Sequence, residues 1–140
     1  HTDEKIRVAY RIGDRYQRDA LRKLNKFLRD FRTGDAAVMD PKLFDLLYEI
    51  NRRLGHTDGS FEIVSAYRSP RTNAMLRKTS RGVARNSLHM SGKALDIRFS
   101  STSTRRIRDS AVSLRRGGVG FYPRSDFVHV DTGSVRRWGA

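Results

Sequence analysis

Between Arg15 and Phe31, apolar Ala20, Leu21, Leu24, Phe27, Leu28 and Phe31 recur at the spacing of one helical face. Gly34 and Asp35 break that pattern. Asp40-Pro41 then offers a capping carboxylate and a proline at the first helical position. Leu43, Leu46, Leu47, Ile50 and Leu54 follow on one face until Gly55 ends the helix. Beyond this point the period changes. Phe61 to Tyr67 reads as a strand, and Ser69-Pro70 starts a short helix running through Leu76. Residues 79–87 (TSRGVARNS) carry no apolar period and predict an exposed loop. Lys93 to Phe99 alternates, with Leu95, Ile97 and Phe99 on one side and Ala94, Asp96 and Arg98 on the other. Ser103 to Arg116 has Ile107, Ala111 and Leu114 at helical spacing. Gly117 to Tyr122 and Phe127 to Thr132 predict two further strands joined by a turn over 123–126. Helices grouped early and strands grouped late predict an α+β fold, a single domain with N-terminal helices packed on a small antiparallel sheet. Residues 1–14 mix charges with few apolar groups and read as an arm, leaving 15–140 as the domain.

Composition narrows the function. At 140 residues and 37% hydrophobic content, the chain supports one modest core. No stretch approaches the ~20 apolar residues of a membrane span, and no basic start followed by an apolar run reads as a signal peptide. The absence of cysteine excludes disulfides, thiolate zinc sites and cysteine nucleophiles, and fits an oxidising compartment. The net charge is +14 and uneven: residues 1–60 hold thirteen basic and ten acidic side chains, residues 61–140 sixteen and five. Such a field favours a polyanionic partner, whether nucleic acid, anionic lipid or an acidic wall polymer. The few acids of the second part, Glu62, Asp96, Asp109, Asp126 and Asp131, therefore each invite a reason.

Two segments concentrate the candidate chemistry, Ser87 to Asp96 (SLHMSGKALD) and Asp126 to Asp131 (DFVHVD). His89, Asp96 and His129 are two imidazoles and a carboxylate, a ligand set that suits a catalytic Zn2+ and leaves one position for water. Gly92 and Ala94, between His89 and Asp96, are small enough to let the chain fold back and keep an ion's approach clear. The same residues also fit a surface histidine and a carboxylate paired with one of many arginines, and spacing leaves both readings open. His1 and His56 match no pattern and are expected at the surface.

SLHMSGKALD matches the signature S-x-H-x-x-G-x-A-x-D, five fixed positions in ten, and so resembles the zinc D,D-peptidases that include D-alanyl-D-alanine carboxypeptidases and vancomycin-resistance dipeptidases. The runs LNKFLRDFRTGD, SAYRSPRTNAML and GGVGFYPRSDFVHVDTGSVRRW are similar to the murein endopeptidase K family over about residues 21–138. The resemblance implies a zinc metallopeptidase that hydrolyses peptidoglycan peptide cross-links in the cell wall. It makes His89, Asp96 and His129 the zinc ligands. It makes Asp126, three residues before the last histidine, the general base that takes a proton from water and passes it to the leaving amine. Here the chain departs from several relatives, which have Glu in an E-x-W-H setting where this sequence has D-F-V-H. Strand parity sets Asp126 opposite to His129, so the turn from Pro123 must re-aim it. Asp131 is expected to orient an imidazole and is the rival for the base. Arg68, in SAYRSP, corresponds to an arginine that polarises or anchors the substrate carbonyl, and Ser87 to a serine that binds substrate or caps the loop. Tyr67, Tyr122 and Trp138 are candidates to line the cleft, with core packing expected for at least two of them.

An exported, periplasmic location follows from where such a substrate lies. Which bond is cut stays open, since terminal D-alanyl, D,D- and L,D-bonds all occur in the wider group. A carboxypeptidase or dipeptidase of the same fold, or a non-catalytic polyanion-binding module, remain as alternatives. Nucleic acid is not the expected partner: zinc-finger cysteines and basic-aromatic interleaving are missing, and only RRIRDSAVSLRR would serve. His129-Val130-Asp131 resembles half of an iron-oxygenase triad, but no histidine follows it.

Overall fold

The computed structural model describes residues 3–56 and 60–139. The chain opens with a two-stranded antiparallel hairpin, β1 (Arg11–Ile12) and β2 (Arg15–Tyr16), which straddles the expected boundary between arm and domain. Tyr10 and Arg11 donate to Asp45 Oδ1 at 2.9 and 3.1 Å, and Tyr16 donates to the other oxygen of the same carboxylate. A single half-buried acid thus staples the N-terminal segment to the helix that carries it.

Helix α1 (Arg18–Phe27) is shorter than the periodicity predicts. Residues 15–16 are taken by the hairpin, Leu28 leaves the helix as a core residue, and Phe31 stands 40% exposed. Helix α2 (Lys42–Leu54) starts where Asp40 Oδ1 accepts from Lys42 N at 3.0 Å, as the Asp-Pro signal implies, and ends at Gly55. Strand β3 (Glu62–Ser65) leads to helix α3 (Pro70–Thr79), capped by Ser69 Oγ accepting from Thr72 N at 3.2 Å. A 3-10 turn at Leu88–Ser91 precedes β4 (Ala94–Arg98); it carries no sequence periodicity long enough to announce it. Helix α4 (Thr104–Leu114) and strands β5 (Gly118–Tyr122), β6 (Phe127–Asp131) and β7 (Arg136–Trp138) complete the chain.

The main sheet has the order β3-β4-β6-β5-β7. Its first four strands pair antiparallel, as expected, while β7 adds a parallel edge beside β5 that no sequence signal announced. One face is apolar: Leu95, Ile97, Val119, Phe121, Val128 and Val130 form a core with Leu43, Phe44, Ile50, Ile107 and Ala111 of α2 and α4. Removing these side chains from water is the main stabilising term, on the order of 2 kcal/mol for each large one. Cross-strand partners share a face, so the register sets the opposite face in two rows. Asp96, His129, Gly120 and Trp138 form one row, and Ala94, Asp131, Gly118 and Arg136 the next. The chemistry therefore sits on a sheet whose back is locked by the core.

Candidate metal centre

His89, Asp96 and His129 converge although seven and thirty-three residues separate the two histidines from the acid. Asp96 and His129 are register partners on β4 and β6. His89 arrives from the 3-10 turn, whose first N–H groups are capped by Ser87 Oγ accepting from His89 N at 3.2 Å. The turn ends at Gly92 with φ of 70°, a left-handed conformation that glycine adopts without cost. A side chain there would run into the backbone of Val38, and two residues further on Asp40 donates its N–H to Gly92 O at 2.8 Å. Gly92 is small because another segment packs against it, which replaces the expectation that it keeps an ion's approach clear. Ala94 is fully buried in the second row.

All three side chains are buried, with exposures of 3% for His89, 6% for Asp96 and 8% for His129. His89 Nδ1 donates to Ala66 O at 2.7 Å, and His129 Nε2 donates to Asp131 Oδ2 at 2.8 Å. Carbonyl and carboxylate oxygens only accept, so these two ring nitrogens carry the protons. The remaining atoms, His89 Nε2 and His129 Nδ1, lie 3.2 and 3.1 Å from Asp96 Oδ1. With neutral rings, three lone pairs face one another, an arrangement that calls for a cation. Protonated imidazoles answer the same need with protons: burial pushes the Asp96 carboxyl up, but a charged His89 and hydrogen bonds donated by the two protonated rings outweigh it and hold the group well below the usual carboxylate range. Burial lowers His129, and its bonds to Asp131 and Asp96 raise it to a net upward shift.

Asp131 is fully buried and completely engaged. Its Oδ1 accepts from Gly118 N at 2.9 Å, Gly133 N at 3.0 Å and Arg136 Nη1 at 3.1 Å, while Oδ2 accepts from Arg136 Nη2 at 2.9 Å as well as from His129. Burial raises its carboxyl, and the bonds from His129, Arg136 and Gly118 bring it far below the ordinary value.

The other expected site residues lie around the cluster. Arg68 is half-buried, its N–H bonded to His89 O at 3.1 Å and its Nη1 donating to Asn73 Oδ1 at 3.2 Å. Burial pulls the guanidinium below its ordinary value while the nearby Asp96 charge opposes this, and the group remains cationic at neutral pH. Asp126 is exposed in the turn before β6, with φ of 56°, and is not part of the three-residue cluster. That left-handed residue interrupts the strand's alternation where parity would otherwise set the acid opposite to His129.

Two expectations change. Only Tyr67 of the three aromatic candidates packs against the core. Trp138 lies on the site face with its ring 5.0 Å from that of His129, and donates from Nε1 to Tyr122 Oη at 2.8 Å. Glycine at position 120 admits the indole, a constraint invisible before β7 is known to lie there. His56 is half-buried, its Nε2 2.9 Å from Thr102 Oγ1 and its ring edge-on to Phe99, while His1 lies outside the described residues. Arg136 went unrecognised in the sequence as one arginine among many, and only its two bonds to Asp131 distinguish it.

Comparison with known proteins identifies the family. A family model described as peptidoglycan L,D-endopeptidase MepK matches residues 1–138. The chain is 46% identical over 138 residues to peptidoglycan L,D-endopeptidase MepK of Escherichia coli strain K12, a match covering 99% of this chain and 75% of that protein. It is 44% identical over 138 residues to the probable peptidoglycan L,D-endopeptidase MepK of Haemophilus influenzae, covering 99% and 74%. A match running through β7 takes in the cluster and every strand that supports it, and the chain belongs to the peptidoglycan L,D-endopeptidase MepK family of peptidases.

Proposed function

We propose that this protein is a zinc-dependent peptidoglycan endopeptidase that hydrolyses peptide cross-links with metal-activated water, and that the bond it cuts is the L,D type named for its relatives. The observation that carries the reading is the pair of ring nitrogens at 3.2 and 3.1 Å from one oxygen of Asp96, both with their lone pairs turned inward. A tetrahedral ion with bonds of about 2.0–2.1 Å needs donor atoms spaced about 3.3 Å apart; the two distances to Asp96 match this, and all three ligand atoms lie within 4.8 Å of one another. His89, Asp96 and His129 would hold the ion. When bound, it acidifies a water and polarises the carbonyl under attack.

The chain's own residues supply the rest. Asp126 accepts the proton of the attacking water at a carboxylate oxygen and later delivers it to the departing amine nitrogen. Its exposure keeps it reachable by water and substrate, and a non-glycine residue held in the left-handed region is the kind of local strain that clusters at functional positions. Asp131, the rival, has every acceptor position engaged and no access to solvent, which favours Asp126. Arg68 donates to the carbonyl oxygen as negative charge develops there; Asn73 fixes one nitrogen of its guanidinium. Ser87 serves first as the cap that holds His89, and its hydroxyl can donate to substrate. Peptidoglycan peptides carry free carboxylates, which suits a chain of net charge +14. No helix among the described residues is long and apolar enough to cross a membrane, and the substrate implies an exported, periplasmic enzyme.

The test is incubation of purified protein with cross-linked muropeptides, with and without a chelator, alongside zinc analysis. The expected result is one zinc per chain, chelator-sensitive cleavage of L,D cross-links, and loss of both metal and turnover in His89→Ala. Cleavage that persists in metal-free protein refutes the reading.

A further inference from the structure

Strand β7 is an edge of three residues, yet two of its side chains reach over β5 to the centre of the site. They do so at the two glycines of β5 that face it. At Gly118 an added Cβ would stand 2.5 Å from Asp131 Oδ2 and collide with the Arg136 guanidinium; at Gly120 it would stand 2.5 Å from the Trp138 ring. Real Cβ atoms do not approach so closely, so β5 is bare where Arg136 and Trp138 cross it. Arg136 meets Asp131 with both terminal nitrogens, at 3.1 and 2.9 Å, in the forked geometry that fixes a carboxylate in plane. Asp131 in turn holds His129 Nε2–H at 2.8 Å, which turns Nδ1 towards Asp96. Trp138 packs against the same imidazole at 5.0 Å, is tethered by Tyr122, and lies 5.1 Å from the Arg136 guanidinium carbon.

We propose that β7 is a clamp for His129, with Arg136 acting through Asp131 and Trp138 acting by ring contact to hold the imidazole with Nδ1 turned inward for the metal. Both are positioning residues and neither touches substrate in this role. The inference rests on the metal reading above. Its physical basis is that a ligand already oriented loses little freedom on binding, and partners that orient ligands contribute about 10- to 100-fold in metal affinity. Lysine at position 136 would keep the charge and lose the fork.

The experiment measures the zinc dissociation constant by competition with a chromophoric chelator, the unfolding midpoint of metal-free protein, and the His129 Nε2–H proton resonance of metal-free protein. Arg136→Gln is expected to weaken zinc at least tenfold and to lose the protected Nε2–H signal by exchange with water. Trp138→Leu is expected to weaken zinc several-fold. Arg136→Lys, the milder change should Arg136→Gln fail to fold, is expected to fall between parent and Arg136→Gln. Arg137→Gln, on the same strand and exposed, is expected to match the parent. A role confined to general stability would lower the midpoint and leave affinity and resonance unchanged. Zinc affinity within twofold of the parent in Arg136→Gln or Arg136→Lys, with the Nε2–H signal unaltered, overturns the clamp. A parent that binds no zinc defeats the metal reading instead, and the resonance in metal-free protein still decides the clamp.

Discussion

Asp30 carries the most informative stability prediction, because it ties the end of α1 to the segment that presents Arg68. It is 2% exposed, its Oδ2 accepts from Ser69 N at 2.9 Å and its Oδ1 from Arg32 N at 2.9 Å. Asp30→Asn keeps the shape and one acceptor oxygen but turns an amide N–H towards a backbone N–H. Losing one charge-assisted bond in a buried setting costs about 2 kcal/mol, which for a chain of this length lowers the midpoint by about 8 °C. The pH dependence is the sharper signature. Burial raises the Asp30 carboxyl, but the bonds from Ser69, Thr72 and Arg32 outweigh it and leave the folded value below the ordinary one. A depressed folded value means that the stabilisation is fully present above the unfolded value of about 3.9 and is lost as pH falls through the folded value. Urea unfolding of metal-free parent and Asp30→Asn at a series of pH values should show the widest gap near pH 7 and a gap that narrows below about pH 4. A gap that stays the same from pH 7 to pH 3 refutes the argument, since the charge would then contribute nothing.

Asp126→Asn is expected to retain zinc and lose about 10²- to 10⁴-fold in kcat on muropeptides; unchanged turnover would move the base role elsewhere. Arg68→Gln should leave the zinc dissociation constant near that of the parent and lower kcat/KM by about 10²-fold or more, read by steady-state kinetics and equilibrium metal binding. Gly92→Ala sets a side chain into the left-handed region and against Val38 O, and is expected to destabilise by about 2–4 kcal/mol. Thermal unfolding checks this, and a midpoint equal to the parent's contradicts the packing account.

The helices of the N-terminal half, the strands of the C-terminal half and the candidate ligands were legible in the sequence because each rests on local rules. Helical and alternating periods report which face is apolar, Asp40-Pro41 and Ser69-Pro70 report helix starts, and SLHMSGKALD is a short pattern dense in fixed positions. The hairpin at 11–16 and strand β7 were not legible, because two- and three-residue strands are too short to show a period and exist only through their partners. For the same reason Gly118 and Gly120 read only as members of a strand, Arg136 as one charge among many, and Trp138 as one of three aromatics divided between cleft and core. The amino-acid order by itself determined which side chains are available for chemistry and that β4 and β6 would expose alternate faces. Only the tertiary structure decided that His129 would stand opposite Asp96, that Asp131 would be saturated while Asp126 stayed in solvent, and that the short strand following β6 would pair on the far side of β5 and brace the imidazole. Those outcomes depend on strand register and order, which bring together residues far apart along the chain and leave no trace in any local window.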